Sequence, residues 1–167
     1  MSTLLRRAWA PALLWVAVIA LESTPLGSAE NTGEVLGPIV AFLFGKVDFL
    51  TFSSIHHCIR KAGHFFGYAV LSLVMFRAWW ATLALRAGAA DVASWHDMFR
   101  RWNPRAALLA ILSTAAVAAL DEWHQAFLPG RGSSPDDVML DALAGVFMQL
   151  ALIAVSDVRG AGKAISD

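Results

Sequence analysis

Residues 106–155 read AALLAILSTAAVAALDEWHQAFLPGRGSSPDDVMLDALAGVFMQLALIAV, and this stretch decides the fold. It holds two apolar runs, Ala106 to Trp123 and Val138 to Val155. Each is close to the roughly 20 residues an α-helix needs to cross a bilayer core. Between them lies Pro129-Gly130-Arg131-Gly132-Ser133-Ser134-Pro135, whose Pro and Gly content dictates a tight loop. The pair therefore predicts an antiparallel helical hairpin in a membrane. Asn103-Pro104, a helix-breaking pair, opens it.

Working outward, a further apolar run begins near Cys58, has its core at Ala62 to Phe76, and continues past Arg77 to Leu85. Trp79 and Trp80 read as an interfacial belt, with Arg77 snorkelling to the membrane surface. The first run, Ala8 to Leu21, follows Arg6 and Arg7 and reads on to Pro25, with Trp9 or Trp15 as an interfacial anchor. Its alternative is a signal peptide cleaved at the small residues Gly27-Ser28-Ala29. The expectation is an all-α membrane protein with four transmembrane helices, in one domain spanning 1–167, core 8–155 and tail 156–167.

Composition agrees. Hydrophobic residues make up 57% and charged residues 16%, where a soluble domain carries about 25% charged. Thirteen basic and thirteen acidic residues cancel, so no global charge points to nucleic acid. Cys58 is the sole cysteine, which excludes an intramolecular disulfide and a cysteine-based zinc site. Placing both termini in the cytoplasm puts nine basic residues on or near the inner side and four (Lys46, Arg60, Lys61, Arg131) outside. The positive-inside rule favours that orientation.

Two other segments are apolar without reading as spans. Glu34 to Phe52 places Leu36, Val40, Leu43, Val47 and Leu50 at helical spacing but is interrupted by Pro38, Gly45, Lys46 and Asp48. It is predicted to be an extra interfacial or re-entrant helix on the outer side. Asp91 to Trp102 gathers Trp95, Phe99 and Trp102 among Arg100 and Arg101, as a surface helix at the inner leaflet.

Ionisable groups inside membrane helices are costly, so they pair or work. Here they gather at one depth. His57, Lys61, His64 and Tyr68 follow one another at intervals of four, three and four residues and share a helix face. Asp121, Glu122 and Gln125 share a face on the next helix, with His124 beside it. Asp137 and Asp141 stand one turn apart on the last, and Arg131 sits in the connecting loop. Two readings follow. Lys61, Arg60 and Arg131 can simply neutralise Asp121, Glu122, Asp137 and Asp141 in a structural network. Alternatively the groups line a cleft open to the outer side.

Arg60-Lys61-x-x-His64-x-x-x-Tyr68-x-x-Leu71 resembles the first signature of the VanZ-like family. Asp121-Glu122-x-x-Gln125-x-Phe127-x-Pro129-Gly130-Arg131-x-x-Ser134-x-x-Asp137 resembles the second, longer and more specific one. The resemblance covers about residues 10 to 155. It implies a small bundle of membrane helices in the bacterial cytoplasmic membrane. It also implies a role at the cell envelope like that of an accessory protein of glycopeptide-resistance clusters, associated with lowered susceptibility to teicoplanin. The family pattern often has Asn four residues after the last Asp, where this chain has Asp141, and the following Gly is displaced to Gly145. The extra carboxylate changes the charge balance of the cluster.

Under this resemblance Arg60, Lys61, Tyr68, Gln125, Arg131, Asp137 and Asp141 are expected to bind a ligand. Lys61, His64 and Arg131 would hold an anionic lipid headgroup or a cell-wall precursor, with carboxylates orienting the cations. A membrane-embedded hydrolase or transferase would instead use Glu122 or Asp121 as general base and His64 as acid or base. No G-x-S-x-G or H-E-x-x-H motif occurs. Asp121-Glu122-x-His124 is not a recognised metal spacing, so no metal or other cofactor is assigned, although His64 with carboxylates offers donors for a divalent ion. Four helices without an inverted repeat argue against a monomeric transporter, and a homo-oligomer remains open.

Overall fold

The computed structural model describes residues 3–89, 98, 102–128 and 133–164. Among these, the chain forms five helices: α1 (Thr3–Glu22), α2 (Ala29–Phe44), α3 (Phe49–Arg86), α4 (Pro104–Gln125) and α5 (Pro135–Ala164). A short 3-10 turn, Pro25–Gly27, joins α1 to α2, and the described residues contain no strand. The helices α1, α3 and α4 and the Pro135–Ser156 part of α5 are long and apolar enough to cross a membrane.

The helices α3, α4 and α5 pack against one another, and α1 lies along α3. The buried positions are dominated by small side chains: Ala12, Ala78, Ala81, Ala110, Ala118 and Ala144 are wholly inaccessible. Large apolar side chains face outward instead, among them Leu108, Leu112, Leu120, Leu143, Phe147 and Leu150. That inversion is what lipid demands: it offers no hydrophobic drive between helices, so small residues let backbones approach and bulky ones meet acyl chains. At Gly145 the approach is closest, because a Cβ there would lie 3.1 Å from Thr114 Cγ2 and 3.7 Å from Ser72 Cβ. The same point is fastened by hydrogen bonds. Ser72 Oγ donates to the Gly145 carbonyl at 3.0 Å, and Gln149 Nε2 donates to Ser72 Oγ at 2.8 Å.

Pro11 lies inside α1. It has no N–H to give the carbonyl of Arg7, four residues earlier. Arg77 of α3 supplies the missing donor: its Nη1 lies 3.0 Å from the Arg7 oxygen and 3.1 Å from that of Ala8. Trp9, Trp15 and Trp79 are likewise satisfied within the bundle. Trp9 Nε1 donates to Thr82 Oγ1 at 3.0 Å, Trp15 Nε1 to the Gly67 carbonyl at 2.8 Å, and Trp79 Nε1 to Ser113 Oγ at 3.0 Å. Trp80 is buried. Of the two tryptophans expected in an interfacial belt, Trp79 also reaches across to α4, which satisfies its indole N–H.

Residues 34–52 are not one helix. Gly45 takes a positive φ of 78° and ends α2, and Asp48 caps α3 by accepting from the Leu50 and Thr51 amides at 3.0 Å. The Thr51 hydroxyl, followed by these amides, holds the Asp48 carboxyl below the usual carboxylate range. Consequently α3 begins nine residues before Cys58, and Leu50 and Phe52 belong to its first turn. The predicted surface helix at 91–102 lies outside the described residues except for Met98, which is buried, and Trp102. The backbone of α5 continues past Val155 to Ala164.

Candidate functional site

The polar residues of α3 form a ladder with the facing helices. Lys61 pairs with Asp137 at the start of α5, both partly exposed. One turn further along α3, His64 Nδ1 lies 3.4 Å from Oδ2 of Asp141, whose side chain is fully buried. One more turn on, the Tyr68 hydroxyl donates to Asp121 Oδ2 at 3.0 Å, and Gln125 Nε2 donates to the same oxygen at 3.0 Å. His64 and Tyr68 stack, with centroids 6.3 Å apart and planes 17° from parallel.

Glu122 occupies the gap between α4 and α5. It is 3% exposed, and its Oε2 accepts from the Ser134 amide at 3.0 Å. Ser134 in turn caps α5, its carbonyl accepting from the Asp137 amide at 3.0 Å and its Oγ from the Asp136 amide at 3.2 Å. Asp136 and Asp137 stand in the first turn of α5, where the helix dipole favours negative charge. Glu122 thus closes the hairpin as well as facing the ladder. One donor atom each of His64, Glu122 and Asp141 lies within 4.8 Å of the other two.

Beside the ladder, a cavity of about 670 Å³ opens between the end of α1, the 3-10 turn, α2 and α3. Leu26, Val35, Leu36 and Ile59 give it apolar walls, and Arg60, His56 and His64 line it on the α3 side. A recess of about 30 Å³ shares Glu22, Gly63 and His64 with the cavity and ends on Tyr68, Asp121 and Gln125. The imidazole of His64 therefore stands where the larger cavity meets the ladder.

Lys61, His64, Tyr68, Asp121, Glu122, Gln125, Asp137 and Asp141 come together as their spacing predicts. Arg60 does not join them. Its Nη1 donates to the Gly27 carbonyl at 2.8 Å and to Thr32 Oγ1 at 3.3 Å, so it tethers the 3-10 turn and α2 to α3. His57 is exposed, and it is His56 that is buried, with Nε2 2.9 Å from Thr32 Oγ1. His124 Nδ1 lies 3.1 Å from Ser23 Oγ, just past the end of α1, and pairs with no member of the ladder among the described residues. Arg131 lies outside the described residues. Sequence reasoning missed Ser72 and Gln149, although both continue faces already noted: Ser72 is four residues beyond Tyr68, and Gln149 follows Asp141 and Gly145 at intervals of four.

Comparison with curated proteins and with solved structures gives no match. The model of the VanZ/LLP1 family matches residues 8–156, which takes in most of the chain and every rung of the ladder. On that match, the chain belongs to the VanZ/LLP1 family.

Proposed function

We propose that this VanZ-like protein sits in the bacterial cytoplasmic membrane with both termini in the cytoplasm. There it binds the polar headgroup of an outer-leaflet lipid or lipid-linked cell-wall precursor, and so lowers susceptibility to glycopeptides such as teicoplanin. One observation carries this reading. A cavity large enough for a headgroup and part of a chain has apolar walls, cationic and imidazole groups on one side, and a buried carboxylate cluster adjoining it. Such a surface suits an amphiphile. Arg60 has further guanidinium donors beyond the one that holds Gly27 and Thr32, in the planar fork that suits phosphate or carboxylate.

A second reading, hydrolysis or transfer on a lipid-linked phosphate or peptide, is favoured by one feature. His64 stands against a buried carboxylate at the mouth of the recess, with Glu122 close by, as an acid–base group requires.

Susceptibility separates site from scaffold. A host expressing the protein is tested against glycopeptides alongside Lys61→Met, Glu122→Gln and Arg131→Gln variants, with membrane abundance measured for each. The proposal expects the phenotype to disappear at normal abundance. Full activity in all three variants would remove the cluster as the functional site, and loss of protein in step with phenotype would reduce it to a structural network. Covalent change in lipid precursors on expression would mark the enzyme.

A further inference from the structure

We infer that His64, Glu122 and Asp141 form a binding site for one divalent transition-metal ion. The inference does not depend on which headgroup, if any, the cavity receives.

Three helices each deliver one ligand type to a common point: an imidazole from α3, a carboxylate from α4 and a carboxylate from α5. One donor atom of each lies within 4.8 Å of the other two. A tetrahedral ion with bonds of about 2.0–2.2 Å needs donors spaced about 3.3–3.6 Å apart. The His64 Nδ1 to Asp141 Oδ2 separation of 3.4 Å already has that length. It is long for a hydrogen bond, which for N–H···O centres on about 2.9–3.0 Å. The Glu122 donor then has only about an ångström to travel, within reach of a rotamer adjustment at a helix end.

A second, independent observation points to a ligand. Asp141 is wholly inaccessible, and its Oδ1 has no hydrogen-bond partner among the described residues. A buried, unpaired carboxylate oxygen is among the costliest groups a membrane helix can carry. The charges make the same case. Asp121, Glu122, Asp137 and Asp141 meet one lysine, Lys61, among the described residues of the ladder, and Lys61 is already engaged with Asp137. A divalent ion would add positive charge where the carboxylates are most buried. The surrounding contacts would orient the ligands. Ser134 fixes Glu122 through its amide, and the Tyr68–Asp121–Gln125 group closes the floor beneath His64.

One imidazole and two carboxylates suit Zn²⁺ or Mn²⁺ better than the all-oxygen preferences of Mg²⁺ and Ca²⁺. Three protein donors leave one position of a tetrahedral ion open, and His64 also lines the adjoining cavity.

The test uses the full chain in nanodiscs, stripped with chelator and then titrated separately with Zn²⁺ and Mn²⁺. Uptake is read by elemental analysis and, for Mn²⁺, by electron paramagnetic resonance. The expected result is one saturable equivalent of at least one of the two ions, with a rise in melting temperature on loading. His64→Gln, Glu122→Gln and Asp141→Asn should each weaken binding by more than the ~10–100-fold that loss of an outer supporting contact costs. The exposed-carboxylate control Asp136→Asn should bind as wild type does. The proposal is overturned if wild-type protein takes up neither ion saturably. It is equally overturned if a folded Asp141→Asn protein binds as tightly as wild type. Should a variant fail to fold, the wild-type titration and its melting shift decide the matter without it.

Discussion

His64 on α3 and Asp141 on α5 face each other across the helix interface, with Nδ1 and Oδ2 3.4 Å apart. The same interface is fastened two turns along α3 and one turn along α5, where Ser72 Oγ donates to the Gly145 carbonyl. Gly145 is needed there because Thr114 Cγ2 stands 3.1 Å from where its Cβ would be. Gly145→Ala should therefore lower stability in detergent by about 1–3 kcal/mol, the usual cost of overpacking. Thr114→Ser, which removes Cγ2, should recover more than half of that loss when combined with it. Strict additivity in the double variant would show that the two side chains do not meet.

A second expectation concerns the Pro11 gap. Arg77→Met should destabilise the α1–α3 contact by about 1.5–3 kcal/mol, the range for hydrogen bonds to charged groups. Pro11→Ala returns an N–H to the Arg7 carbonyl, so in that background the same Arg77 change should cost less. Unfolding monitored by circular dichroism on all four proteins measures the coupling. Equal losses in both backgrounds would mean that the freed carbonyl is not what holds Arg77.

The Lys61–Asp137 pair is partly exposed at the end of the bundle. Breaking it should cost about 1–2 kcal/mol, less than a fully buried pair would. Lys61→Asp and Asp137→Lys should each lower the melting temperature, and the double reversal should restore part of it. Lack of rescue would indicate that one of the two residues is held by another charge.

Orientation is testable through the sole cysteine, Cys58, which is exposed on α3 three residues before Lys61. With both termini cytoplasmic, a membrane-impermeant maleimide added to intact cells should label it. Reporter fusions at residue 92 and at the carboxyl terminus should both read cytoplasmic. Labelling of Cys58 only after cell lysis, together with an external carboxyl terminus, would invert the bundle.

Much of this architecture is legible in the chain because hydropathy and period act over long windows. The hairpin of α4 and α5 follows from two apolar runs around a Pro–Gly loop, and the ladder from intervals of three and four on α3. What the sequence conceals is helix phase and partner choice. Arg60 and Lys61 are adjacent, yet a rotation of about 100° per residue sends one to α2 and the other to Asp137. His56 and His57 divide in the same way. Tryptophans at the end of an apolar run look interfacial until a neighbouring helix is seen to offer Thr82, Ser113 or a carbonyl. The residues around Gly45 mark a break, but the start of a 38-residue helix after Asp48 depends on cap geometry that the sequence does not display.

The central claim is that the cavity bordered by Arg60 and His64 is a headgroup site. Native mass spectrometry of the protein taken from bacterial membranes into nanodiscs, then released with increasing collision energy, tests it most directly. The account predicts that wild type retains one phosphate-bearing lipid after bulk lipid is lost. It also predicts that Arg60→Gln and His64→Gln shed that lipid, while their helical content by circular dichroism stays at the wild-type level. Retention of the same lipid by both folded variants, or a wild-type protein that strips to bare polypeptide, would contradict it.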